Sequence, residues 1–256
     1  MTKSTRTLRT LAAAAGVVAL IGTASACANA SDDSTPERRN FALDGNELTI
    51  DSSDSNKVVV RPADVDEIQV TRWFDGWAVF GDTPKATWSM HGHTLTFRTK
   101  CRGAVQDCSV RHEVLVPRGV RLTVVNGDGS VEASGFSTPL ALTTGDGSVV
   151  VRDVTGPLRL SSGDGRIDAG GIGSREVSAH TSDGSVKLAF DKVPDLVEAT
   201  SGDGRVSVVL PHQSYRVSAR SGDGHVSVEV PRDAASGHVV TVRTGDGSVS
   251  VTEAGR

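Results

Sequence analysis

Seven Asp-Gly turns at near-constant spacing constrain this chain more than any other feature. They read NGDGSV around Asp128, TGDGSV around Asp146, SGDGRI around Asp164 and TSDGSV around Asp183. SGDGRV around Asp203, SGDGHV around Asp223 and TGDGSV around Asp246 complete the series. Successive aspartates lie 18, 18, 19, 20, 20 and 23 residues apart. That period is too short for a propeller blade, and the Leu pattern of leucine-rich repeats is missing.

The flanks carry as much information as the turns. Six residues before each Asp stand Leu122, Leu140, Leu158, Val177, Val197, Val217 and Val240. Four before stand Val124, Leu142, Leu160, Ala179, Ala199, Ala219 and Val242. Three after come Val131, Val149, Ile167, Val186, Val206, Val226 and Val249; five after come Ala133, Val151, Ala169, Leu188, Val208, Val228 and Val251. Every one is apolar, and the residues between them are mostly polar, so each flank reads as a strand with one face inside. Sizes also compensate: Leu160 shares a unit with Ala169, and Ala179 with Leu188.

The predicted fold is therefore all-β, with each unit a strand, an Asp-Gly corner, a strand and a second corner. A β-solenoid of about seven coils stacks like strands on like and requires a constant cross-section in every coil. An antiparallel β-meander is the competing arrangement, because Asp-Gly is also a hairpin signal. A formal net charge of −4 gives no basic surface for nucleic acid.

The N-terminus reads as an address. Lys3, Arg6 and Arg9 precede an apolar run from Leu11 to Gly22, then Ala24-Ser25-Ala26 and Cys27. Residues 1–26 are a secretory signal peptide by this pattern. Small residues ending at Cys resemble a bacterial lipobox, with Ala24 where Leu is usual, and Cys27 is the lipidation candidate. Ordinary cleavage after Ala26 or Ala30 is the alternative. Of three cysteines, Cys101 and Cys108 are close enough to pair after export, which leaves Cys27 over. Losing residues 1–26 takes the net charge from −4 to −7. Residues 27–40 read as a polar tether.

Residues 41–121 are strand-like without the period and read as an irregular β cap holding the Cys101–Cys108 loop. The repeats occupy 122–256. No cap is apparent after Val251, so an open last coil is expected, with end-on contact to a partner or second copy.

A Cys-bearing leader, serial S/T-G-D-G-x-V turns and a Cys-bounded loop before RHEVLVPRGV resemble the bacterial putative-adhesin family of envelope β-solenoid lipoproteins, a domain of unknown function. The resemblance covers roughly residues 46–251 and points to actinobacterial members. It implies a right-handed β-solenoid at the cell envelope, with adhesion as the proposed role and no catalytic residues. Ser182 departs from the Gly of the other six turns; a positive φ there would make Ser costly.

Three groups of residues are candidate sites. Stacking would place Asp128, Asp146, Asp164, Asp183, Asp203, Asp223 and Asp246 about 4.8 Å apart along one edge. Hydrogen bonds to turn N–H groups, or calcium between the carboxylates, would offset their repulsion. Trp73, Trp77 and Trp88 would plug the solenoid's end or stack on a glycan, with Trp73 and Trp77 on one face. His91 and His93 alternate on a strand but lack a third ligand for a metal. No cofactor and no catalytic residue is expected.

The reading is a non-catalytic envelope module anchored by lipid at the outer face of the membrane. Its partner would be a cell-wall polymer or an envelope protein. A stress-sensing partner of a membrane protein and a polysaccharide-acting β-helix enzyme are the rival classes. No nucleophile elbow, zinc motif or phosphate loop supports the last.

Overall fold

The computed structural model describes residues 28–52 and 57–255. The signal peptide expected over residues 1–26 and the lipidation candidate Cys27 lie outside the described residues. Among those described, the chain is all-β apart from one 3-10 turn, Ala30–Asp32.

Each Asp-Gly unit contributes two strands. The first strands are β8 (Arg121–Asn126), β10 (Leu140–Thr144), β12 (Leu158–Ser162), β14 (Glu176–Thr181), β16 (Leu196–Ser201), β18 (Arg216–Ser221) and β20 (Val239–Thr244). The second strands are β9 (Val131–Ser134), β11 (Val149–Val154), β13 (Ile167–Ile172), β15 (Val186–Phe190), β17 (Val206–Leu210), β19 (Val226–Val228) and β21 (Val249–Glu253). First strands pair only with first strands and second with second, always in parallel. A meander would pair neighbours antiparallel, so that arrangement is excluded. The result is two facing parallel sheets joined by turns, a β-solenoid-like stack.

The apolar columns meet between the sheets. All are buried except four, Val217, Ala219, Val226 and Val228, and all four belong to the sixth unit. Strand order explains this: β20 lies between β16 and β18, and β21 between β17 and β19. The last unit in sequence is thus inserted beneath the sixth, which becomes the outermost. The expected open coil exists, but it is the sixth unit rather than the chain's end. A further column fills the second corner, with Phe136, Val154, Ile172, Phe190, Leu210 and Val230 buried at seven or eight residues after the Asp.

The stack continues into the N-terminal region. β2 (Glu47–Ser52) and β3 (Lys57–Ala63) pair in parallel with β8 and β9. On their far side β6 (Thr94–Lys100) and β7 (Val105–Pro117) form another parallel unit. The first unit in sequence is therefore also tucked inside the second, mirroring the other end. Antiparallel strands close this end: β4 (Ile68–Val79) on β7, β5 (Lys85–His91) on β6, and β1 (Glu37–Phe41) on β4. Residues read from sequence as a tether thus include an edge strand, because β4 offers β1 a free ladder and Phe41 a buried seat.

Candidate functional site

The Asp-Gly turns form a flat ladder, and close approach is the reason for their glycines. A Cβ on Gly165 would fall well under 3.0 Å from the carbonyl oxygen of Gly147 in the unit below. Gly147, Gly184, Gly204, Gly224 and Gly247 are crowded in the same way. None of the turn glycines has a positive φ. The Ser182 exception therefore carries no backbone penalty of that kind, and the expected strain is absent.

The seven aspartates are all exposed. Among the described residues no three His, Cys, Asp or Glu side chains gather as a metal site. A polar ladder that the sequence reading did not single out lies just inside them. Thr144 Oγ1 sits 2.7 and 2.9 Å from the carbonyl oxygens of Gly127 and Gly129, one unit below. Ser162 and Thr181 repeat the arrangement on the next two units. The N–H groups of Gly165, Gly184, Gly204 and Gly224 donate to the hydroxyl of their own turn, the role foreseen for the Asp. Thr244 reaches Gly202 and Gly204, and Ser221 reaches Gly245 and Gly247, so the side chains repeat the inserted order. The signal was the Ser or Thr two residues before nearly every Asp.

The three tryptophans have separate environments. Trp88 packs against the core, edge-on to Phe41 at 6.2 Å, with the Arg72 guanidinium 4.1 Å over its ring. Arg72 is buried, holds Glu37 at 2.6 Å and donates to the Ala86 carbonyl. Beside it His112 is stacked on Phe97 at 3.9 Å, with neither ring nitrogen hydrogen-bonded. Burial, then the nearby Arg72 charge, lowers the His112 pKa to about 3, so the ring is neutral. This cluster is the plug of the N-terminal end. Trp73 lies on the outer face of β4, under Arg111 of β7 at 4.9 Å, beside a shallow cleft lined by Arg38, Gln69 and Glu113. Period-two alternation puts Trp77 on the same face. His91 ends β5 and His93 sits in the turn to β6, with Gly92 at φ 57° between them, so they do not share a strand face.

β4 and β7 run on past the stack. β7 pairs with β3 only from Arg111 onward, while Val105 to Val110 pair with β4 alone, an arm of about 20 Å on the turn side. The Cys101–Cys108 disulfide closes it. Cys108 Sγ lies 2.7 Å from where a Cβ on the facing Gly76 would stand, which accounts for that glycine.

The model of one family, Toastrack DUF4097, matches residues 110–252 of this solenoid-like stack. The chain belongs to the Toastrack DUF4097 family. Its Toastrack match takes in the second half of β7 and all seven Asp-Gly units. A crystal structure of a putative adhesin from Bacteroides fragilis is similar over 85% of this chain and 97% of that one, at 12% identity and a TM-score of 0.51. A putative adhesin from Parabacteroides merdae covers 86% and 97% at 12% identity, TM-score 0.46. A putative lipid binding protein from Parabacteroides distasonis covers 86% and 97% at 14% identity, TM-score 0.43. These likenesses concern fold. No curated protein matches the sequence.

The far end of the Toastrack stack has no capping strand among the described residues; Pro231 to Asp233 bridge only Tyr215, just before β18. β18 and β19 each have one neighbour, so each presents an unpaired ladder edge. Val226 at 37% exposure and the half-buried Val217, Ala219 and Val228 leave the inner columns partly wet there.

Proposed function

We propose that the chain is a non-catalytic module of the bacterial cell envelope, held at the membrane through a lipid on Cys27, that binds its partner at the open end of the stack. The observation that carries the reading is the sixth unit. It offers two free strand edges over an apolar surface, a template for adding a strand from another chain. It lies about 48 Å along the stack from β1, counting ten strand spacings. An anchor at one end and a receptive edge at the other keep the binding surface clear of the attachment point. The family match and the putative-adhesin likeness support a binding role, and the neutral, enclosed His112 offers no acid–base chemistry to solvent. The occupant of the edge would be an envelope protein or a second copy of this chain, with a wall polymer as the alternative along the stack.

Two measurements test this. Intact mass and fractionation from the native host should give a diacylglyceryl adduct on Cys27 and membrane retention, lost in Cys27→Ala. A soluble product starting at Ser31 would sink the anchor. Val226→Lys with Val217→Lys should abolish capture of the partner, or self-association in sedimentation, while leaving the fold intact. Unchanged binding would move the site elsewhere.

A further inference from the structure

The three most exposed large apolar side chains among the described residues cluster at the tip of the β4–β7 arm. Phe80 is 92% exposed, Val105 57% and Val79 43%. Val79 and Val105 are directly paired across the two strands, and Phe80 follows at once. The tip is built rather than loose: Ala104 N–H donates to the Val79 carbonyl, and Asp82 N–H to the Arg102 carbonyl. Phe80 holds a positive φ of 54°, a conformation that Gly or Asn would adopt at lower cost. A large aromatic kept there, strained and in water, is a feature that points to a ligand.

The mature N-terminus is fixed to the same arm. Ala28 N–H donates to Asp107 at 2.8 Å and Asn29 N–H to Asp75 at 2.8 Å. Phe74 N–H donates to Asp33. Asp107 is two residues from Val105 on β7, hence on the same strand face, about 7 Å away. A lipid on the residue preceding Ala28 would therefore leave the protein beside this tip. Lys85, Lys100 and Arg102 are exposed around it, against a single exposed acid in the tip loop, Asp82.

We propose that Val79, Phe80 and Val105 enter the interfacial layer of the lipid bilayer next to the lipid anchor, with Lys85, Lys100 and Arg102 against anionic headgroups. The inference rests on the lipid anchor proposed above and adds a second membrane contact to it. One flexible attachment leaves a protein free to tumble. Two contacts on one rigid arm fix its orientation, because the tip's insertion becomes an intramolecular event.

The test supplies the anchor chemically, so that it does not depend on lipidation in the host. With Cys101 and Cys108 bonded, Cys27 is the one remaining thiol of the mature chain. It is coupled to a maleimide phospholipid in vesicles of phosphatidylcholine and phosphatidylglycerol, and chymotrypsin cleavage after Phe80 is timed. Anchoring should slow that cleavage by about tenfold or more, since cutting requires the tip to leave the bilayer. The variant Val79→Ser with Val105→Ser keeps thiol, Phe80 and anchor, and should lose most of the protection. Equal cleavage on and off vesicles overturns the proposal, as does equal protection of the double variant, which would mean shielding by nearness alone. Undiminished protection in pure phosphatidylcholine overturns the part given to the basic residues. The adduct on Cys27 in the native host is read separately by mass, so failure of the anchor and failure of the tip are distinguishable.

Discussion

The two ends of the stack are built from the same kind of unit and finished in opposite ways. At the N-terminal end β4, β5 and β1 lie outside the last parallel unit, and Trp88, Arg72, His112 and Phe97 fill the space beneath them. At the other end no strand among the described residues lies outside the sixth unit, Pro231 to Asp233 bridging Tyr215 alone, and its four column residues are the ones not buried. Yet its sequence, VSARSGDGHVSV, keeps the pattern of units that are wholly enclosed. Position in the stack, not the repeat itself, decides which apolar residues meet water. The closed end is a place of storage for awkward groups, and the open end is a surface.

The sharpest way to break the comparison is to deny the turns their close approach. Gly165→Val drives a side chain into the Gly147 carbonyl and should cost about 4 kcal/mol or more, enough to abolish a cooperative melt. Gly237→Val meets nothing within 4 Å and should stay within about 0.5 kcal/mol of the parent. One column then gives the contrast between interior and end. Val206→Ala should cost about 2–3 kcal/mol in urea denaturation, and Val226→Ala less than about 1 kcal/mol, since only the first is sealed from water. Equal losses would mean that the sixth unit is covered.

The inner polar ladder should follow the same rule at smaller scale. Thr181→Val takes the hydroxyl from the Gly165 carbonyl and from the Gly184 N–H, while the Gly163 carbonyl keeps the Ser182 N–H, and should cost about 1–2 kcal/mol. Ser221→Ala removes the same link at the open end, where water can replace it, and should cost less than about 1 kcal/mol. The smallest effect sharpens the closed end. The unfolded chain binds a proton at His112 near pH 6.5, the folded one only near 3. The stability this gives is whole above pH 6.5, is lost progressively as pH falls, and is gone below about 3. Between pH 6.5 and 5.5 the loss should approach about 1 kcal/mol. His112→Phe, stacked on Phe97 with no unpaired nitrogen, should flatten that slope in melts at several pH values.

Much of the repeat region was legible. Period-two alternation around each Asp named the buried columns, and parallel stacking followed from their regularity. The order of units was not legible, because equivalent columns make any unit an acceptable neighbour of any other. The second-corner column, Phe136 to Val230, escaped because its offset from the Asp shifts between eight and seven. The turn glycines were visible but their cause was not, since a carbonyl one unit away leaves no mark in the local sequence. Arg72 and His112 gave no signal at all. They sit in strands without a repeat, and only the fold brings Arg72, Trp88 and Phe97 around one buried ring.

The account turns on the seventh unit lying between the fifth and the sixth. Thr200 pairs with Arg243, and Arg243 with Arg220, all on the outward face of one sheet. Thr200 and Arg243 are thus one strand spacing apart, about 4.8 Å, and Thr200 and Arg220 two, about 9.6 Å. Cysteines at Thr200 and Arg243 should form a disulfide on mild oxidation, read by mass after digestion, while cysteines at Thr200 and Arg220 should not. The reverse, bridging of 200 to 220 and none of 200 to 243, would put the units in sequence order and the chain's own end at the edge.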